Sequence, residues 1–85
     1  MATFVIETYL SRARAGDLDR AIADLRAAVA RAASTATGVR HVRSFYIHDD
    51  EMAFHIVEAR SVEVVGEVAR RAGLTPDRIV EAATG

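Results

Sequence analysis

VRHVRSFYIHDDEMAFHIVEA, residues 39–59, is the stretch on which the fold turns. It reads as two strands, Val39 to His48 and Glu51 to Ala59, because β-branched and aromatic residues fit a pleated surface. The acidic pair Asp49-Asp50 between them reads as a tight hairpin turn. With those two residues as the turn, His48 opposes Glu51, Phe45 opposes Phe54, Arg43 opposes Ile56 and His41 opposes Glu58. Period-two alternation then separates two faces. One carries His41, Arg43, Phe45, Ile47, Met52, Phe54, Ile56 and Glu58. The other carries Val42, Ser44, Tyr46, Ala53, His55 and Val57. A slip of one residue would exchange these partners, so every site drawn on the faces depends on the register.

Working outward, Thr3 to Leu10 is a further strand, with Phe4 and Ile6 on the second face and Val5, Glu7 and Tyr9 on the first. Ser11 to Gly16 reads as a loop. Asp17 can cap a helix running to about Thr35, whose apolar positions Leu18, Ile22, Leu25, Val29 and Ala32 recur at intervals of three and four. After the hairpin, Ser61 caps a second helix over 62–72, with Val65, Val68, Ala69 and Ala72 inward. Gly66 within it suggests a close approach to the sheet. Gly73 is a natural left-handed stop and Pro76 prevents continuation. Arg78 to Ala83 forms a last strand at an edge. Strand, helix, strand, strand, helix, strand is the split-βαβ pattern of an α+β, ferredoxin-like fold, with strand order 4-1-3-2 and both helices on one face.

The composition narrows the chemistry. The 85 residues are 51% hydrophobic and 27% charged, an ordinary globular balance for one small domain. Cysteine is absent, which excludes disulfides, thiolate metal sites and cysteine nucleophiles. All eleven basic residues are arginine, so Schiff-base chemistry and a phosphate-loop lysine are excluded as well. With a net charge of −1 there is no nucleic-acid footprint. No apolar run reaches the roughly 18 residues of a membrane span. No basic leader opens the chain, so the expected address is the cytoplasm. Domains this small often lean on a metal or a partner chain.

Both remain open here. The first face is apolar over Val5, Phe45, Ile47, Phe54 and Ile56, which marks an interface and leads to an expected homodimer with sheets packed face to face. The polar end of that face gathers His41, Glu58 and Glu7, a nitrogen and carboxylate set suited to nickel, zinc, cobalt or manganese. His48, beside Asp49, Asp50 and Glu51, is a second candidate ligand, exposed and flexible, although a solvated hairpin turn is the simpler reading. Arg43 is the natural ion-pair partner for Glu7 or Glu58. Tyr9, Phe45, Tyr46 and Phe54 read as packing, because the run Glu51 to Ile56 lacks the basic, glycine-rich signature of an RNA-binding sheet.

The chain also resembles a family of small bacterial proteins of similar length, long of unknown function, that includes nickel-binding and nickel-responsive members. The matching segments are Phe4 to Tyr9, Val42 to Tyr46, Phe54 to Ala59 and Arg71 to Glu81, nearly the whole length. The resemblance implies a ferredoxin-like fold, a dimer and a metal-binding role. Relatives often carry cysteine on the third strand, where Ala53 and His55 stand here, which makes His55 a conceivable imidazole ligand. They usually have proline where Arg60 stands.

The expected function is therefore a nickel-binding homodimer rather than an enzyme, with His41, Glu58, Glu7, His55 and His48 as candidate ligands. The competing expectation is a small-molecule enzyme or carrier of the dimeric α/β-barrel type, by analogy of fold. That alternative requires a cavity, lined either by His55, Tyr46 and Ser44 or by Glu7, Tyr9 and Arg43.

Overall fold

The alternation of apolar and polar residues is realised as a four-stranded antiparallel sheet in the order β2-β3-β1-β4. The computed structural model describes residues 1–33 and 38–83. Its elements are β1 (Ala2–Tyr9), α1 (Leu18–Ala33), β2 (Arg40–Ile47), β3 (Met52–Ala59), α2 (Val62–Arg71) and β4 (Arg78–Ala82). The order and the two-layer architecture are those expected of a ferredoxin-like fold. The expected end of α1 near Thr35 falls outside the described residues. Among the described residues no helix is long and apolar enough to cross a membrane.

Both helices cover one face. Phe4 and Ile6 of β1, Val57 and Ala59 of β3, Leu25, Ala28 and Val29 of α1, and Val65, Val68 and Ala69 of α2 form the buried core. The helix stripes account for this: Leu25 and Val29 are four apart, Val65 and Val68 three apart, and each pair lies on one side of its helix. Ser61 caps α2 by accepting from the Val64 amide at 3.3 Å, and Gly73 leaves the helix at φ +80°. β4 is held at the edge by Asp77, whose amide donates to the Glu7 carbonyl and whose carboxylate accepts from the Tyr9 amide.

Three local expectations need correction. The segment 12–17 is a 3₁₀ turn rather than a loop, and Asp17, its last residue and the one directly before α1, accepts from Arg14 at 3.0 Å. Gly66 makes no close approach, since a Cβ there would meet nothing within 4 Å. The third correction concerns the hairpin register. It runs as expected from Ile47 opposite Met52, through Phe45 opposite Phe54, to Arg43 opposite Ile56. The Glu51 amide closes the turn on the His48 carbonyl at 3.2 Å. Beyond Arg43 the register shifts: His41 stands opposite Val57 and Arg40 opposite Glu58. Val42 is the extra residue of a β-bulge, and it turns the start of β2 over.

Candidate functional site

The bulge dismantles the expected metal cluster and assembles a different one. With Val42 inserted, His41 leaves the open face and joins Ser44 and His55 under the helices. Glu58 stays on the open face, where Arg40 grips it at 2.6 Å. Glu7 lies toward the other end of β1, opposite Phe54, and accepts from Arg78 at 3.0 Å. Arg40 and Arg78 thus take the pairing role expected of Arg43. His41, Glu58 and Glu7 do not meet. His48 sits exposed at the hairpin, its ring edge-on to Tyr46 at 4.8 Å. Among the described residues no group of three or more histidines and carboxylates is arranged to hold a metal ion.

What the covered face does bring together is a line of polar groups. His55 is fully buried in the centre of β3. Its Nδ1 lies 2.6 Å from Ser44 Oγ, directly across on β2. Ser44 Oγ lies 2.9 Å from His41 Nε2, and His41 Nδ1 lies 3.5 Å from Arg26 Nε on α1. At the far end His55 Nε2 is buried and has no hydrogen-bond partner among the described residues. Burial, aided by the neighbouring His41, lowers the His55 pKa to about 4, so the ring is neutral at pH 7. Burial and then the Arg26 charge lower the His41 pKa as well.

His55 also forms part of the floor of a cavity of about 270 Å³, open to solvent, at the end of the sheet where β1 finishes. Its walls come from four places: Thr8 to Leu10, the 3₁₀ turn with Arg14 and Asp17, Leu18 and Ala21 of α1, and Gly73 to Thr75 after α2. Tyr46 is not among them, because its hydroxyl donates to the Leu10 carbonyl at 2.5 Å. Of the residues expected to line a pocket, His55 and Tyr9 do so while Ser44, Glu7 and Arg43 do not, and the sequence gives no signal for Leu74 or the 3₁₀ turn. The spacing of His41 from His55 gave no cue, because an unbulged strand would send the two to opposite faces.

The open face carries a stacked pair, Phe45 over Phe54, with ring centres 5.3 Å apart and planes at 23°. Val5, Ile47, Met52 and Ile56 surround it, and Phe45 and Ile47 remain 41% and 39% exposed. The Glu7–Arg78 and Glu58–Arg40 pairs border this apolar area toward opposite ends.

Two comparisons place the chain among known proteins. Residues 4–82 match the family described as nickel responsive protein SCO4226-like. The backbone is similar to the crystal structure of SCO4226 from Streptomyces coelicolor A3(2), with a TM-score of 0.76, 20% identity and 99% of each chain covered. At that identity the likeness is one of fold. No curated protein matches by sequence.

Proposed function

The chain belongs to the family of SCO4226-like nickel responsive proteins, and from that premise we propose that it is a nickel-binding protein that works as a homodimer through the open face of its sheet. The family match over residues 4–82 carries the nickel half of this reading. The dimer half is supported by the exposed apolar area around Phe45 and Phe54. A patch of that kind in water marks an interface, and a two-fold axis would set it against its own copy.

The two halves depend on each other. One chain offers no three-ligand group among its described residues, and a two-fold dimer would let a site draw ligands from both copies. His48 is the imidazole best placed to ligate, since it is exposed and its hydrogen bonds among the described residues go to its backbone carbonyl and leave the ring nitrogens unengaged. Glu7 and Glu58 would have to give up Arg78 and Arg40 to join it. An imidazole and carboxylate set suits nickel by ligand type.

The test is calorimetric titration of tag-free protein with nickel, alongside light scattering for mass. We expect a dimer that takes up nickel, with His48→Ala weakening uptake at least tenfold. Uptake weaker than millimolar would sink nickel binding. Undiminished uptake by a monomeric Phe54→Glu variant would sink a site shared between two copies.

A further inference from the structure

We propose that the bulge in β2 is mobile: in a second, less populated register Val42 takes the place of His41 opposite Val57, and His41 comes out to the open face opposite Glu58. This inference does not rest on the nickel reading, since it concerns the chain without any ligand.

The strand holds one residue too many between two anchored points. Arg43 stands opposite Ile56 at one end. At the other, Arg40 stands opposite Glu58, and the residue before it, Val39, is buried in the core, as is Ala59. Between Arg43 and Val39, the residues Arg40, His41 and Val42 therefore span only Val57 and Glu58 of β3. One of them is surplus, and here it is Val42. If the bulge falls on Arg40 and His41 instead, both oppose Glu58, and Val42 faces Val57 by the alternation of the strand. Arg43 and Val39 keep their places in either arrangement. The change is thus confined to residues 40–42 and asks nothing of the core or of the chain before β2.

The contributions to the two registers nearly cancel. The observed one reverses the ordinary preference, with Val42 41% exposed and the His41 imidazole partly covered beside α1. What holds it is the contact of His41 Nε2 with Ser44 Oγ at 2.9 Å and the ion pair of Arg40 with Glu58 at 2.6 Å. Both are modest: the ion pair is largely exposed, and His41 regains water when it leaves. The second register brings apolar area of Val42 under cover and takes His41 away from the Arg26 guanidinium, 3.5 Å from its Nδ1. Ser44 keeps His55 as a partner. Glu58 keeps one too, because an imidazole N–H donates to a carboxylate as a guanidinium does. A balance of small contributions leaves the second register populated on the order of 1–10%. Its consequence is an open face whose chemistry can change. In the observed register Glu58 is closed off by arginine. In the second it stands with an imidazole, and anything that binds an imidazole and a carboxylate together favours that arrangement.

The chain has no cysteine, so engineered pairs can report the register by disulfide trapping. Directly opposed residues come within reach of a disulfide, and diagonal ones do not. Three double variants of the full chain are oxidised with diamide in dilute solution, and products linked between copies are separated by mass. Arg40→Cys with Glu58→Cys reads the observed register, and His41→Cys with Glu58→Cys reads the second. Arg43→Cys with Glu58→Cys gives the background on the same face. We expect the first pair to close fastest and the second to close at least tenfold faster than the third. Val42→Thr, which puts a hydroxyl where the second register buries a methyl, should slow closure of the His41 pair at least threefold and leave the Arg40 pair unchanged. In the unsubstituted chain, ¹⁵N relaxation dispersion should show exchange at residues 40–42, and Arg40→Gln should enlarge it. Closure of the His41 pair no faster than background would overturn the proposal, as would closure indifferent to Val42→Thr. An absence of exchange in both the unsubstituted chain and Arg40→Gln would overturn it as well.

Discussion

The two faces of this sheet solve the problem of polar strand residues in opposite ways. On the open face each carboxylate is closed off by an arginine beside it, Glu7 by Arg78 and Glu58 by Arg40. On the covered face His41, Ser44 and His55 are joined in series, and the last atom of the series is left over. Water explains the contrast. A half-exposed ion pair leaves its remaining lone pairs and protons to solvent, while a buried imidazole has two nitrogens to satisfy and only protein to do it with. A leftover atom on the wet face therefore signifies little. Under the helices it is an uncompensated cost of roughly 1–3 kcal/mol.

Substitutions on a single strand offer the sharpest way to break the comparison. Ile6 and Val5 are consecutive in β1 but point to opposite faces, Ile6 fully buried and Val5 only partly. Ile6→Ala should cost about 4 kcal/mol in urea unfolding, since it opens a cavity in a packed core. Val5→Ala should cost less than about 1 kcal/mol in dilute protein, where the open face meets water. Raising the protein concentration should enlarge the Val5 effect and leave the Ile6 effect unchanged if the open face is a dimer contact. Equal costs at every concentration would count against the sheet-to-sheet dimer.

Acid should test the covered face next. His55 has its pKa lowered to about 4 by burial and by His41, while in the unfolded chain it titrates near 6.5. Above pH 6.5 both states are neutral there and the group contributes nothing. Between pH 6.5 and 4 the unfolded chain takes up a proton that the folded chain refuses, so stability falls as pH falls and levels off below about 4. The integrated loss is on the order of 3 kcal/mol. His41, lowered in the same direction, adds to the slope. Urea unfolding at pH 7, 5.5 and 4 measures it, and His55→Leu should remove most of it. A wild-type curve flat across this range would mean that His55 is charged in the folded protein without cost.

These contrasts also show how far the residues themselves carry. Strand order, helix stripes, the Ser61 cap and the Gly73 stop follow from periodicity and from backbone chemistry that few residue types can supply. The hairpin register near the turn agrees with a two-residue Asp49-Asp50 turn, but the sequence does not fix the loop length, and aromatic residues can also stack diagonally in a shifted register. The bulge at Val42 is another matter. A glycine often marks such a place, yet here a β-branched valine occupies it, and Val42 inside an alternating run reads as an ordinary strand residue. Everything beyond it inverts: His41 exchanges faces, Glu58 acquires Arg40, and the candidate metal cluster comes apart. The cavity escapes sequence reasoning for a different reason. Its walls come from four separate segments, and no local pattern in any of them refers to the others.

Ser44→Ala should have a smaller effect, about 1–2 kcal/mol, because it removes the hydroxyl between two imidazoles and leaves His55 Nδ1 unpaired. A cost under about 0.5 kcal/mol would indicate that water replaces the hydroxyl easily, and the line of polar groups would then have no claim to orient His55.

The smallest effect belongs to the open face. Arg40 is 67% exposed and Glu58 33% exposed at the side chain, so Arg40→Ala should cost about 0.5 kcal/mol or less in dilute protein. The pair exists only because the bulge turns Arg40 toward Glu58, and its value depends on what lies above it. In water, added salt screens it, and the difference between wild type and Arg40→Ala should shrink from 0.05 to 0.5 M sodium chloride. Beneath a second copy of the sheet the pair is desolvated. Removing the arginine then strands a buried carboxylate, which costs several-fold more and responds less to salt. Arg40→Ala measured at low and high protein concentration, each at both salt levels, thus distinguishes an open face from a covered one. A cost that stays small and salt-sensitive at every concentration would mean the apolar area around Phe45 and Phe54 stays in water.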